Sequence, residues 1–393
     1  MLSNTSTQQK SAIFAMILVV FSPLGIDLYL ASFMKMSSFF EHDMEVTLSI
    51  YLFFLGMGQI LWGWISDRLG RRPVALTGLL IYSISSILLF SCQHFETLLC
   101  LRALQGLGAA AITLTAFVTI RDCFEKQESA RYFSLLNASL NVVSSLAPIL
   151  GSLILTYFSW RANFAFLCGF SLLILVIVYW YMPESLAQKS QSRLPPLFEL
   201  LKYKSFIVYG IICGFALSLI LSHVALSPSI LIEKGHVTPT QFSLLFGSNA
   251  FLIIVANIMN NKILKKVSSQ HVLKIGLILM AISGILMLSF YESNHILAYM
   301  VPIYLLSIGY AFMMGPSNAL ALSEITSNFG SATAVIGAFQ MAISGIVSAL
   351  FGLVQDDVKF YYGMSIVLFV MASLIGIKFL KQPLPFQRAV ADA

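Results

Sequence analysis

Charge is scarce along these 393 residues: Lys, Arg, Asp and Glu together make up 10% of the chain, where a soluble domain carries about 25%. That leaves too few ionised side chains to cover a water-soluble globule of this length. Cysteine is sparse as well. The five present (Cys92, Cys100, Cys123, Cys168 and Cys213) are odd in number, sit in or beside apolar runs and show no metal-ligand spacing. This excludes a disulfide framework and a thiolate metal cluster, and leaves them as small apolar residues. A glycine-rich phosphate loop, a nucleophile paired with a base and a polar stretch long enough for a soluble domain are also lacking, so an enzyme or a receptor is disfavoured. No metal and no cofactor are expected.

Hydrocarbon fills the chain instead. Hydrophobic residues make up 58%, against about 45–50% in soluble domains. Twelve nearly uncharged segments lie near 11–33, 46–66, 74–91, 97–120, 132–157, 162–182, 206–230, 241–261, 274–290, 297–323, 331–354 and 361–380. Each has about 20 residues, the length an α-helix needs to cross a hydrocarbon layer of about 30 Å. The expected fold is an all-α membrane protein of twelve transmembrane helices. The first segment is too long for a signal peptide, holds Asp27 in its interior and lacks a small-residue cleavage site, so it counts as span 1.

The basic residues orient these spans. With both termini cytoplasmic, inner loops and span ends hold 18 Lys and Arg, among them Arg68, Arg71, Arg72, Lys262, Lys265 and Lys266, whereas outer segments hold four: Lys35, Arg161, Lys234 and Lys359. The positive-inside rule then places both termini in the cytoplasm, and the bacterial inner membrane is the expected location. The net charge of +6 reflects this topology, and no nucleic-acid partner is read from it. The one long polar interruption, "PESLAQKSQSRLPPLFELLKYKS" at 183–205, divides the chain into six-helix bundles at 1–182 and 206–393. Pro195 and Pro196 before "LFELLKYK" suggest either a short amphipathic helix on the cytoplasmic face or a plain tether. The loop "GWISDRLGRR" after span 2 is echoed by "NIMNNKILKK" after span 8, so Asp67 falls opposite Asn261 and Arg68 opposite Lys262. Such a degenerate repeat suits two bundles related by a pseudo-two-fold axis along the membrane normal. A monomer surrounded by lipid is expected.

Four formal charges crowd into residues 67–72 of that first loop. Asp67 sits at the C-terminal end of span 2, where the helix dipole disfavours a carboxylate. Compensation is available from Arg71 four residues on. Asp122 at the inner end of span 4 and the N-terminus of span 11, with Gly330, Ser331 and Ala332, lie on the same side. Gly63 and Gly70 would allow close backbone packing and a tight turn. Asp67, Arg68, Gly70, Arg71, Arg72 and Asp122 thus read as a latch on the cytoplasmic side, or else as solvated charges that only set topology.

"GWISDRLGRRP" at 63–73 resembles the loop 2–3 signature of the major facilitator superfamily. "LRALQGLGAA" at 101–110 resembles its span 4 signature, in which a buried arginine is linked to proton transfer, and "SLAPILGS" at 145–152 its span 5 antiporter signature, with Pro148 and Gly151 in place and Ala147 and Ser152 where glycine is common. "IDLYLASF" and "TIRDCFEKQESAR" are similar to the bicyclomycin-resistance (Bcr/CflA) branch of drug:proton antiporters, although Ala31 stands where that branch has a proline. The resemblance implies alternating access by two bundles around a central cavity that binds a small-molecule substrate and a proton.

Two formal charges remain well inside the spans, Asp27 and Arg102. Each costs about 2.5–3.5 kcal/mol at a span centre on insertion scales, which makes it a functional candidate. Each is placed about six residues from the outer end of its segment, about 9 Å below the boundary, so a direct or water-bridged pair is expected. Burial favours the neutral carboxyl and a nearby guanidinium the ionised one, so a change of distance would carry Asp27 across its protonation point. The alternative is a permanent structural ion pair. His223 in span 7 is either a third proton-coupling group or a packing residue. Gln105 shares a face with Arg102, and Asn137, Asn141, Tyr304 and Asn318 are further candidates to line the cavity, beside Asn249, Pro316 and Gln340. The expected function is proton-coupled efflux of lipophilic small molecules or drugs, or on the same scaffold the export of one native metabolite or siderophore.

Overall fold

The computed structural model describes residues 2–124, 126–186, 200, 202–264, 266–325, 329–354 and 357–380; within helices, the side chains of 2–7, 126–127, 129–131, 133–134, 137–138, 141, 239 and 329–334 lie outside the description. All regular structure among the described residues is helical. The first span is a stack of α1 (Leu2–Val19), α2 (Phe21–Asp27), a 3-10 turn (Leu30–Ser32) and α3 (Phe33–Phe40). There follow α4 (Glu45–Leu69), α5 (Arg71–Phe90), α6 (Phe95–Cys123), α7 (Lys126–Tyr157) and α8 (Trp160–Tyr181). The second half holds α9 (Lys204–Pro228), prolonged by a π-helical turn (Ser229–Lys234), then α10 (Pro239–Ile263), α11 (Ser269–Ser289), α12 (Ile296–Ala321), α13 (Phe329–Gly352) and α14 (Val358–Leu380). Eleven described segments are long and apolar enough to cross a membrane. The twelfth expected span is α7, a helix of 32 residues whose described apolar part is Val142–Tyr157.

Apolar residues occupy both the inner and the outer faces of these helices, so they carry no amphipathic stripe to read. On α5, for instance, Val74, Leu79 and Leu89 are buried, whereas Leu80, Ile84, Ile87 and Leu88 face outward, as lipid requires. Local signals mark the ends. Thr238 and Gln241 form a reciprocal capping box around Pro239 at the start of α10, which satisfies two otherwise orphaned backbone donors. Gly70, at φ 109°, makes the turn from α4 to α5 in a conformation that L side chains rarely adopt.

Within the first half α6 packs on α4, α5 and α1, and α5 on α8; within the second, α12 packs on α11, α9 and α10, and α11 on α14. The most extensive contacts between the halves are α4 with α13 and α7 with α10. The first is a contact of small residues: a Cβ on Gly56 would lie 2.4 Å from the Ala342 backbone nitrogen, and one on Gly345 would lie 2.5 Å from that of Phe53. Such approach brings backbones into dispersion contact where no hydrophobic effect drives association. By contrast, a Cβ on Gly63 would meet its nearest neighbour, Leu114, only at 4.0 Å. The close packing expected at Gly63 is absent, and the turn depends on Gly70.

The first span runs on to Phe40, seven residues past its expected end at 33. Asp27 therefore lies near the middle of its span rather than one turn and a half from the outer boundary. Pro23 lacks the N–H that would bond back to Val19, and the helix tightens to a 3-10 turn around Ala31, so the irregularity arises without a proline at that position. The expected amphipathic helix of the 183–205 segment lies mostly outside the described residues.

Candidate functional site

Arg102 of α6 is fully buried. One guanidinium nitrogen donates to the Gly25 carbonyl at 3.0 Å and to the Tyr29 hydroxyl at 2.9 Å; the other donates to Gln105 Oε1. Gln105 in turn donates to Ser86 Oγ of α5 at 2.8 Å. The Tyr29 and Tyr51 rings flank the guanidinium, with centroids at 4.3 and 4.4 Å. A desolvated cation–π contact contributes about 2 kcal/mol, so two rings and three hydrogen bonds offset an insertion cost of about 2.5–3.5 kcal/mol. The charge is held by neutral groups. The irregular turn of span 1 is what offers the Gly25 carbonyl, and it is fastened by Tyr29 to Thr47 of α4 at 3.1 Å and by Asn163 of α8 to Ser32 at 2.8 Å.

Asp27 is buried too, with Ser144 of α7 as a polar neighbour of its carboxyl. No ion pair joins it to Arg102 among the described residues, whose ion pairs all lie around Arg71 and Asp122. The direct pair expected from the sequence is thus replaced by two neighbouring but separate environments, because Gly25, Tyr29 and Gln105 already engage the guanidinium. His223 of α9 is buried with Nδ1 2.8 Å from the Tyr299 hydroxyl of α12, and its ring stacks on Phe246 of α10. It has the partner that the sequence did not reveal.

Of the other candidates in the second half, Tyr304 shares a 2.7 Å hydrogen bond with Ser248 of α10. Asn318 Oδ1 accepts from Gln340 of α13 at 3.2 Å and from Cys213 of α9 at 3.5 Å. Asn249 is buried with its Oδ1 unbonded. Asn137 and Asn141 belong to α7, with side chains outside the described set. In the antiporter-like stretch, Ala147 and Pro148 are buried and Gly151 abuts span 1, where a Cβ would fall 1.6 Å from the Leu28 carbonyl oxygen.

The charge cluster converges on Arg71. Its guanidinium, only 2% exposed, bonds Asp67 Oδ1 at 2.7 Å, Asp122 Oδ2 at 2.7 Å and Ser66 Oγ at 3.0 Å. Arg68 stacks on Trp64 with 3.9 Å to the ring centroid, and Arg72 donates to the Tyr179 carbonyl. All of these partners belong to the first half. The expected cross-bundle partner, the Gly330, Ser331 and Ala332 stretch of α13, has side chains outside the description. At the opposite end of α4, Glu45 and Ser229, the residue after α9, line one cavity between the halves.

The sequence profile of the Major Facilitator Superfamily matches residues 11–352, most of the chain. This chain belongs to the Major Facilitator Superfamily. It is a multi-pass membrane transporter of small molecules, not an enzyme. Similar proteins include a "Bicyclomycin resistance protein homolog" of Haemophilus influenzae, 26% identical over 93% of this chain and 96% of the relative. Another is a "Chloramphenicol resistance protein" of Pseudomonas aeruginosa, 30% identical over 83% of this chain and 80% of the relative. The fold is similar to that of a D-xylose-proton symporter, with a TM-score of 0.79 at 17% identity over 94% of this chain and 97% of that one.

Several residues of this facilitator were missed by sequence reasoning. Tyr29 and Tyr51 were signalled only weakly, by the rule that a buried tyrosine seeks a polar partner. Ser144 gave no signal, since a lone serine in a span is common. Glu184, just past α8, accepts from the Arg71 and Arg72 backbone nitrogens at 2.8 and 3.2 Å. It thereby caps the N-terminus of α5 with a negative charge, as the helix dipole favours.

Proposed function

We propose that this facilitator is a proton-coupled exporter of lipophilic small molecules, with Asp27 as proton carrier and Arg102 as the fixed positive charge beside it. The observation that carries the reading is a buried carboxyl at mid-span with no ion pair to Arg102, whose terminal guanidinium nitrogens bond Gly25, Tyr29 and Gln105 instead. Because the terminal nitrogens of Arg102 are bonded without Asp27, a proton gained or lost by the carboxyl breaks no ion pair. Substrate near Asp27 competes with the proton, which makes the two alternate across the membrane. The drug-resistance relatives support a lipophilic cargo. One proton crossing 100 mV supplies about 2.3 kcal/mol, enough for a gradient of about 50-fold.

In this reading residues 1–182 and 206–393 are the two rocking bundles, 183–205 is the cytoplasmic linker, and both termini face the cytoplasm of a bacterial inner membrane. The Asp67, Arg71 and Asp122 cluster, with Gly70 as its turn, belongs to the cytoplasmic gate, while Gln105, Asn137, Asn141, Tyr304 and Asn318 border the substrate path. His223 is assigned to packing with Tyr299. The test is efflux from reconstituted vesicles under an imposed pH gradient. Wild type should concentrate a lipophilic cation and release protons on substrate binding in detergent, and Asp27→Asn should do neither while retaining downhill substrate exchange. Uphill pH-driven transport by Asp27→Asn would overturn the assignment.

A further inference from the structure

The end of the molecule opposite the Arg71 cluster holds a cavity of about 100 Å3 between the halves. The first half contributes Asp43 and Glu45, just before and at the start of α4, and the second contributes Glu233 from the π-helical turn after α9. Asp43 and Glu233 are exposed at the rim, whereas Glu45 is only 8% exposed. Among the described residues none of these three carboxylates has an ion pair. Lys35, Lys234 and Lys359 lie at this end, yet none of them lines the cavity, and Lys359 donates to the Ser293 carbonyl at 2.6 Å. Two of the three hydroxyls in the wall have already given their hydrogens away: Ser38 Oγ donates to the Met34 carbonyl at 3.0 Å and Ser229 Oγ to the Leu226 carbonyl at 3.1 Å. Toward the cavity they can only accept. Phe33, Met44 and Pro228 supply an apolar side.

A wall rich in acceptors and poor in donors calls for a ligand that brings positive charge and N–H groups. We infer that this cavity binds a primary alkylammonium ion, with its ammonium group among Asp43, Glu45 and Glu233 and its alkyl chain against Phe33, Met44 and Pro228, and that its occupancy holds this end of the two halves together. A buried carboxylate without a counter-ion is costly, and an ammonium with three N–H donors supplies both the charge and the hydrogen bonds. A metal ion fits less well. Among the described residues no three acidic, histidine or cysteine side chains converge closely enough to hold one, and the apolar side offers it no oxygen ligand. The wall is tied to the buried cage: Arg102 donates to the Tyr29 hydroxyl, Tyr29 to Thr47 Oγ and Thr47 to the Met44 carbonyl at 2.6 Å. The cavity exists only while the halves meet. Gly345 of α13 against Phe53, Gly352 with 3.7 Å from a Cβ to that of Glu45, and Ser243 donating to the Pro148 carbonyl at 2.9 Å make that closure. A ligand that binds only this arrangement shifts the population toward it.

The test is calorimetric titration of the purified protein with n-butylammonium chloride at neutral pH and constant ionic strength, which involves neither proton coupling nor cargo. Wild type should show one saturable site. Glu45→Gln, close in shape, should weaken binding at least about tenfold, the loss expected for one charge-assisted hydrogen bond at a buried group. Glu233→Gln at the exposed rim should weaken it no more than about fivefold, and Glu292→Gln, an exposed carboxylate away from the cavity, should bind as wild type does. Tetramethylammonium keeps the charge but has no N–H to donate, and should bind at least about tenfold more weakly than butylammonium. Spin labels at Tyr157 on α7 and Leu244 on α10, both exposed, report separation of the halves at this end, where Trp160 packs on Phe40. Butylammonium should raise the share of the shorter distance in wild type and not in Glu45→Gln. Absence of saturable binding, equal affinity in Glu45→Gln, or binding of tetramethylammonium or calcium as tight as that of butylammonium would overturn the site. Saturable binding that leaves the distances unchanged would overturn its hold on the halves.

Discussion

The two halves of this transporter repeat a scaffold but not its electrostatics. In the first half Arg71 is buried among Asp67, Asp122 and Ser66, and Arg102 sits in a cage of tyrosines, an amide and a carbonyl. At the corresponding loop of the second half Asn261 and Lys262 are exposed, and the neighbouring Asn260 donates to the Ala311 carbonyl at 2.8 Å. Opposite the cage, His223 and Tyr299 share a hydrogen bond and no charge partner is involved in it. Holding a charge in a membrane requires partners that a neutral pair does without, so charge is retained where it does something that packing cannot. In the proposed reading this is a division of labour: the first half carries the groups that respond to protons, and the second completes the fold by packing.

The sharpest way to break this contrast is at Arg102. Arg102→Lys keeps the charge but loses the planar fork that reaches Gly25, Tyr29 and Gln105 together. With about two charge-assisted bonds lost, pH-driven efflux in vesicles should fall about a hundredfold and its pH profile should shift. A wild-type profile would reduce Arg102 to a structural ion. Arg71→Ala should come next, slowing turnover about tenfold while substrate affinity stays within about twofold, because removing one member of a buried pair leaves the other uncompensated. Asp67→Asn should do less, since the Asp67 side chain is 39% exposed and exposed pairs contribute about 0–1 kcal/mol. Equal inward and outward populations in wild type and Arg71→Ala, measured by distances across the gate, would remove the latch.

Two smaller effects sharpen the comparison. Glu184→Gln weakens the charged cap of α5, a contribution of about 0.3–1 kcal/mol, and should lower the melting temperature by no more than about 4 °C. Its counterpart α11 starts at Ser268 with no side-chain cap, so Ser268→Ala should change nothing measurable. The smallest effect is expected at His223. His223→Gln should leave the pH profile of efflux unchanged and the rate within about twofold, and a shifted profile would move part of the proton coupling into the second half.

The division between sequence and tertiary structure follows the range of each interaction. Long uncharged runs dictate helices and their number, because a helix satisfies its own backbone in hydrocarbon whatever its neighbours are. The buried charges Asp27 and Arg102 and the Asp67 to Arg72 cluster were legible for the same reason: they are conspicuous where charge is scarce. Their partners were not. The sequence suggested that Asp27 and Arg102 pair with each other, yet no ion pair joins them among the described residues, and Tyr29, Tyr51, Gln105 and the Gly25 carbonyl take the guanidinium. Asp122, 51 residues from Arg71, could be suspected as its partner from topology, but Glu184 on the neighbouring backbone could not. Which polar atom meets which depends on helix rotation and on the irregular turn after Asp27. Those are set by small residues such as Gly56, Gly151 and Gly345 that let particular backbones meet, and only the packed bundle decides them.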